Sequence, residues 1–401
     1  MKNIIKLNNS LSILENWIIK GNFKGWDPFD ALNSPILKSI TGDNRKIGQI
    51  FVQLFKKSPI NFRQILGVPK GYNPKGMGLF LSSYARISEV QPSDQNLQKM
   101  ERFASWLDNN KTVGKSGVGW GYNFDWPNRS FFAPRGTPTT VNTAFIGLAF
   151  LDLCNLFESN AYQNNSEWNE IKCLGLAQSA CEYLLNDINQ LKVDNDQICF
   201  SYTELDNRYI HNANILAAWL LSEIASRTGN KRYQEKALAA ARFTTNQQLS
   251  NGSWLYGIDA MDKWVDNFHT GFVLTGLLAI SKNLETTEFD ININRGYSFW
   301  KKSFLPVING PKYYQNKIYP IDVHNIAQTI LTGISFSSFD ADADNYIEQT
   351  FHYGVDRFQS KEGFFYYQKN RFYTIKIPYM RWSQAWMFRA LSELKIVSLK
   401  R

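Results

Sequence analysis

The sequence predicts an all-α fold, an (α/α)6 toroid of six helical hairpins with short β-hairpin and loop arms over one mouth. Three observations carry this. Six helix openings recur at a loose period, each opens a segment that is apolar almost all round, and each is preceded by a helix that is apolar on one side only.

The openings are Gly76, Asn142, Asn212, Thr270, Asn325 and Ser383, spaced 66, 70, 58, 55 and 58 residues apart. Each offers a small polar residue suited to a helix start. Segments such as 144–157 and 215–224 then run apolar on every face, which marks buried helices. One-sided patterns such as Leu97, Met100, Phe103 and Leu107, or Trp168, Ile171, Leu174 and Leu184, mark helices with a solvent face. Outer helices are therefore expected at 43–57, 94–109, 166–187, 231–249, 287–304 and 342–358, each feeding an inner one. An inner ring sheathed by an outer ring requires this alternation. An open solenoid is the competing arrangement, and the varied connector lengths argue against it. The whole of 1–401 is expected as one toroid domain, with 1–40 as an N-terminal arm packing on it.

The connectors alternate in the manner of short strands at 119–126, 252–257 and 363–367, which predicts hairpins over the mouth. Their Trp and Tyr side chains would wall a groove, and flat aromatic faces suit the apolar faces of sugar rings.

The composition is that of an ordinary globular protein, with 44% hydrophobic and 20% charged residues, so disorder is excluded. Aromatic residues reach 15%, more than a core alone accounts for. The formal charge of +9 favours an anionic partner such as an acidic polysaccharide or a lipid diphosphate, although the basic residues are scattered. No nucleic-acid-binding motif is present, and no nucleic acid partner is expected. Neither a Walker loop nor a dinucleotide fingerprint occurs, so no cofactor is expected. Cys154, Cys173, Cys181 and Cys199 lack Cys-x-x-Cys spacing and read as reduced core thiols. Polar residues interrupt the first 23 positions, and no later run reads as a membrane span, which predicts a cytoplasmic protein without a transmembrane segment.

The segments Gly25-Trp26-Asp27-Pro28-Phe29-Asp30-Ala31-Leu32-Asn33-Ser34, Gly121-Tyr122-Asn123-Phe124-Asp125-Trp126 and Trp264-Val265-Asp266-Asn267-Phe268-His269-Thr270-Gly271 resemble a bacterial family of polysaccharide biosynthesis proteins of the VpsJ type. That family is found with capsule and exopolysaccharide genes, and the resemblance runs over nearly the whole chain. It implies a six-hairpin glycosidase-like toroid, a fold also similar to the catalytic domain of D-glucuronyl C5-epimerases and to several polysaccharide lyases. It carries no reaction over residue by residue.

His211, His269 and His324 precede or open consecutive inner helices, so the ring would gather them at one mouth. Carboxylates accompany them: Asp266, Asp322, Glu204, Asp206 and Asp125. Glycoside hydrolysis uses two carboxylates about 5 to 10 Å apart, for which Asp266 and Asp322 are the leading pair. A uronate lyase or epimerase instead needs a cation for the sugar carboxylate and a base for the adjacent C5 proton. Arg381 suits the first role, and His269, His211, Tyr319 or Tyr379 the second. Three histidines plus a carboxylate also suit zinc, but their spacing matches no zinc motif, and no metal is expected. Substrate contacts are expected from Trp26, Asp27, Trp120, Tyr122, Asp125, Glu204, Trp254, Tyr256, Asn267, Tyr319, Tyr379 and Trp382.

These features predict a carbohydrate-active protein of capsule or exopolysaccharide assembly. It would act on an acidic oligosaccharide or lipid-linked repeat unit by hydrolysis, elimination or uronate epimerisation, with peripheral contact to membrane-bound assembly machinery. The alternative is a glycan-binding or scaffold protein that keeps the toroid without catalysis. A terpenoid-cyclase-like role lacks its Asp-rich motif.

Overall fold

A computed structural model describes residues 4–42, 44–127, 132–159, 162, 167–194, 196–305 and 307–400. The ends of the expected domain, and the first residues of the outer helices expected at 43–57 and 166–187, lie outside these.

The helices are α1 Ile4–Lys20, α2 Pro35–Thr41, α3 Arg45–Lys57, α4 Pro74–Ser88, α5 Asp94–Asn109, α6 Thr140–Glu158 and α7 Glu170–Asn186. They continue as α8 His211–Thr228, α9 Lys231–Asn246, α10 Asn267–Asn283, α11 Asp290–Phe304, α12 Val323–Phe336, α13 Ala343–Phe358 and α14 Trp386–Lys400, with a π-helical turn at Met380–Ala385 leading into the last. Helices α4, α6, α8, α10, α12 and α14 each pack on the next, and α14 packs back on α4, so the inner ring is closed. The outer helices α5, α7, α9, α11 and α13 each lie against the inner helix that precedes them.

The sixth outer position differs from the expectation. Helix α1 covers α14 by burying Leu7, Leu11, Leu14 and Ile18, so the two ends of the chain complete one hairpin. Helix α3, expected as the first outer helix, lies beside the mouth. Both helices are amphipathic, and periodicity shows that a face is covered without showing what covers it.

Inner helices start where capping side chains allow. Asn73, Thr139, Asp266 and Asp322 accept from backbone N–H groups in the first turns of α4, α6, α10 and α12, each contributing roughly 1 kcal/mol. Close approach within the ring uses glycine, since a Cβ on Gly78 of α4 would stand 2.9 Å from Ile146 of α6. Contrary to the expectation that no run reads as a membrane span, helix α6 is long and apolar enough by composition to cross one, but 78% of its apolar stretch is buried within the toroid. The four cysteines are buried free thiols whose pKa values burial raises, Cys154 to about 12.

Connectors at the two ends of the ring are unequal. Inner helices pass to outer ones through 89–93, 159–169, 229–230, 284–289 and 337–342, whereas the long returns 110–139, 187–210, 247–266, 305–322 and 359–379 all arrive at inner N-termini. One mouth thus carries the arms. Thr112–Val113 pairs with Val118–Gly119, Trp126–Pro127 with Phe132–Ala133, and Gln190–Lys192 with Ile198–Phe200. Ile321–Asp322, Gln368–Lys369 and Thr374–Ile375 form a three-stranded patch. The segments 252–257 and 363–367, expected as hairpins, form no regular strand and enter only the isolated bridges Ile210 to Gly257 and Gln359 to Phe365.

Candidate active site

The arms enclose a cavity of about 640 Å³ over the N-terminal ends of the inner helices. Its wall takes the second residue from each of five inner helices and from the π-turn: Lys75, Val141, Asn212, Phe268, His324 and Arg381. The toroid itself imposes this ring, because the side chains of first-turn residues point toward the helix N-terminus. Tyr122, Trp126, Tyr202, Tyr256, Trp264 and Tyr313 from the connectors add an aromatic wall. Tyr256 and Trp264 stack at 4.4 Å with their planes 14° apart.

His269 stands one residue beyond the ring, in the first turn of α10, and is positioned by the cap. Asp266 Oδ1 accepts from the His269 backbone N–H at 3.0 Å, and Oδ2 lies 2.7 Å from the imidazole Nδ1. The Trp264 indole N–H also donates to Oδ2, at 2.9 Å, and the Asp266 side chain is wholly buried. A neutral His269 therefore carries its proton on Nδ1, and its Nε2 lone pair is available from a ring that lines the cavity.

His324 is different. Its ring lies between Phe268 and Trp386, with centroids 4.5 Å away on each side, and neither ring nitrogen has a partner among the described residues. Burial, then the nearby Lys75 and Arg381, hold its pKa well below the usual imidazole value, so the ring is neutral at physiological pH.

Lys75 places its ammonium 4.2 Å from the Phe145 ring centre and 5.3 Å from that of Trp386. Burial and then Arg381 push its pKa well down, with Asp27 opposing. Arg381 itself is held by Asp27, which accepts from Nε at 2.6 Å and from Nη2 at 2.8 Å. The motif carrying Asp27 is tied down throughout: Trp26 Nε1 donates to Val68 O, Asp30 accepts from Arg63 Nε at 2.6 Å, and Met380 N donates to Trp26 O. Burial raises the Asp30 carboxyl to about 6 despite Arg63.

Among the described residues the cavity wall holds Lys56, Lys75, Arg208, Lys263, Lys317 and Arg381 but a single carboxylate, Asp262, which is paired with Arg208. The wall is cationic on balance, although Arg208 and Arg381 are paired with carboxylates and burial disfavours the charged form of Lys75. Asp322 lies behind the wall, where Oδ1 accepts from His324 N and Trp382 Nε1 and Oδ2 from Gln368 Nε2, and burial raises its pKa to about 6.

Of the side chains expected from the sequence, His269, His324, Arg381, Tyr122, Tyr256 and Trp382 reach the cavity. His211 lies in a small adjoining recess with Asp266, Trp254 and Tyr256, and burial lowers its pKa to about 4. The others do not line the main cavity. The indoles of Trp120 and Trp254 donate to Leu107 O and Thr244 O on the outer helices α5 and α9. Asn267 is engaged by Trp300, Thr329 and Lys312 O, and Tyr379 is buried with the Arg63 guanidinium 4.8 Å from its ring centre. Asp125 accepts from Arg135 N and pairs with Lys38 at 3.6 Å, Glu204 is exposed, and Tyr319 is partly buried against the core. Closeness in sequence to a helix opening does not fix where a side chain points.

Lys75, Phe268, Tyr202, Trp264, Tyr313 and Asp262 were not anticipated. Lys75 carried a signal: a lysine in the first turn of a helix opposes the macrodipole, an unfavourable placement that invites another reason.

The fold is a closed (α/α)6 toroid. No family model and no curated protein sequence matches the chain. Solved structures do. The chain is similar to cellobiose 2-epimerase from Bacillus thermoamylovorans, with TM-score 0.61, 9% identity, and coverage of 81% of this chain and 89% of that one. An α-mannanase of glycoside hydrolase family 76 from Bacteroides thetaiotaomicron aligns with TM-score 0.58 and 12% identity over 81% and 88%. The Lin0763 protein from Listeria innocua aligns with TM-score 0.61 and 11% identity over 93% and 97%.

Proposed function

We propose that this protein is a carbohydrate-active enzyme that moves a proton at a sugar carbon, as an epimerase or isomerase does. One observation carries the reading: His269, with Nδ1 committed to Asp266, presents Nε2 in a cavity whose other imidazole, His324, is neutral and unpartnered. A base so oriented accepts a proton from a carbon beside a carbonyl or carboxylate. A neutral imidazole donates a hydrogen bond to the oxygen where charge develops. A proton then returns from His269, after exchange with solvent, to the neighbouring carbon or, once the intermediate has turned in the site, to the other face of the same carbon, so the product keeps the substrate's mass.

Two-carboxylate hydrolysis has less support, because both oxygens of Asp266 and of Asp322 are engaged inside the protein. Among similar structures, the cellobiose 2-epimerase and a D-mannose isomerase favour proton transfer, while the α-mannanase does not.

The cationic wall supports an acidic sugar or a lipid-linked glycan phosphate as substrate. The resemblance to VpsJ-type proteins supports a place in capsule or exopolysaccharide assembly, on the cytoplasmic side. The test is incubation with cellobiose, mannose and uronate-containing oligosaccharides, followed by anion-exchange chromatography and mass spectrometry. A new isomer of unchanged mass is expected. Cleavage into fragments would point to hydrolysis where one water is gained and to elimination where the summed mass is unchanged, and binding without conversion to a glycan-binding protein.

A further inference from the structure

Helix α3 has three faces, and the fold and the cavity account for only two. Gly48, Val52 and Phe55 are buried, and Gln49, Gln53 and Lys56 line the cavity. The third face presents Ile47, Ile50 and Leu54 to solvent, the last two 58% and 59% exposed. Helix α2, packed against α3, adds the exposed Ile36 and Ile40, and the chain after α3 adds Ile60, Phe62 and Ile65. From the connector that enters the neighbouring inner helix α14, the 368–376 hairpin brings exposed Phe372 to this side, where Tyr373 Oη donates to Lys57 O at 3.4 Å. Single exposed apolar residues are ordinary; a segment that gathers eight of them is not.

Charge decides what covers the face. Between Pro35 and Lys70 the sequence holds Lys38, Arg45, Lys46, Lys56, Lys57, Arg63 and Lys70 against one acidic residue, Asp43. Arg63 is buried, but Lys46, Lys57 and Lys70 are exposed, and the 368–376 hairpin adds exposed Arg371 and Lys376. An apolar stripe edged by lysine and arginine is the pattern of a helix lying in a membrane interface, with apolar side chains among the acyl chains and basic ones at the headgroups.

We propose that the α2–α3 face docks the protein on an anionic lipid bilayer. Because α3 is shared between this face and the cavity wall, the docked protein holds its cavity rim beside the membrane surface, where a lipid-linked glycan presents its sugar. Docking itself does not depend on the reaction proposed for the cavity.

The test is co-sedimentation of the full chain with vesicles of phosphatidylcholine alone or containing phosphatidylglycerol. Two exposed-site variants accompany it, Ile50→Ser with Leu54→Ser and Lys46→Gln with Lys57→Gln, each checked by circular dichroism. Wild type should sediment with the anionic vesicles, and each variant pair should bind at least about tenfold more weakly. Absence of binding to both vesicle types overturns the proposal, as does undiminished binding of the serine variant. So does a wild-type dimer that the serine variant converts to monomer, which would make the face a contact between two copies.

Discussion

Asp27 holds Arg381 in a buried, two-pronged ion pair across 354 residues of sequence, joining the segment after α1 to the turn that opens the last inner helix. The pair fixes the sixth position of the cavity ring. Arg381→Met leaves the Asp27 charge buried without its partner and should cost about 3–5 kcal/mol of stability. Adding Asp27→Asn to Arg381→Met should recover part of that loss. Urea unfolding of the four proteins in the cycle measures it, and additive effects would mean that the two residues are not coupled.

Asp266→Asn keeps a good helix cap but removes the carboxylate that fixes the His269 tautomer. Turnover should fall by roughly 10²-fold or more, with KM and melting temperature little changed. Steady-state kinetics beside a thermal melt decides it. An equal fall in both kcat and stability would make Asp266 a structural residue only.

Lys75→Met removes a desolvated amine whose folded-state pKa is well below its ordinary value. The folded protein disfavours the charged form that dominates in the unfolded chain at neutral pH, so the variant should be more stable than wild type at pH 7. A uronate carboxylate bound beside this amine would favour its protonated form, so affinity for uronate-containing oligosaccharides should drop in the variant while that for neutral ones holds. Calorimetric titration with both kinds of sugar, paired with denaturant melts, separates the two effects.

His211→Asn should change the pH dependence of stability in one direction. The buried imidazole titrates at about 4, whereas in the unfolded chain it titrates near 6.5. As pH falls between those values the unfolded state takes up a proton that the folded state refuses. Stability is therefore full above about 6.5 and lost toward 4, by up to about 3 kcal/mol. Asp30 and Asp322, both raised to about 6, act in the opposite sense, because the folded state binds their protons first as pH falls. The telling quantity is thus wild type minus variant, which should decline from pH 7 to 4 and then level off. A difference independent of pH would contradict the account.

The ring was legible in the sequence because the toroid writes its architecture as a contrast between all-round and one-sided apolarity, repeated with the openings at Gly76 through Ser383. Which amphipathic helix covers α14 was not legible, since α1 and α3 carry the same kind of pattern and closure of the chain ends is a long-range choice. The mouth location of His269 and His324 followed from their place at helix openings. The role of Asp322 did not, because whether a carboxylate faces a cavity or caps a helix from behind depends on side-chain direction. Trp120 and Trp254 show the same limit: residues in adjoining connector positions point either into the cavity or under an outer helix.

The most direct measurement is proton NMR of candidate sugars incubated in deuterated water with wild-type protein and with His269→Asn. The account predicts deuterium entering at one carbon, C2 of a reducing sugar or C5 of a uronate, with wild type and not with the variant. A sugar transformed without deuterium uptake, or equal uptake with His269→Asn, would contradict proton transfer by His269.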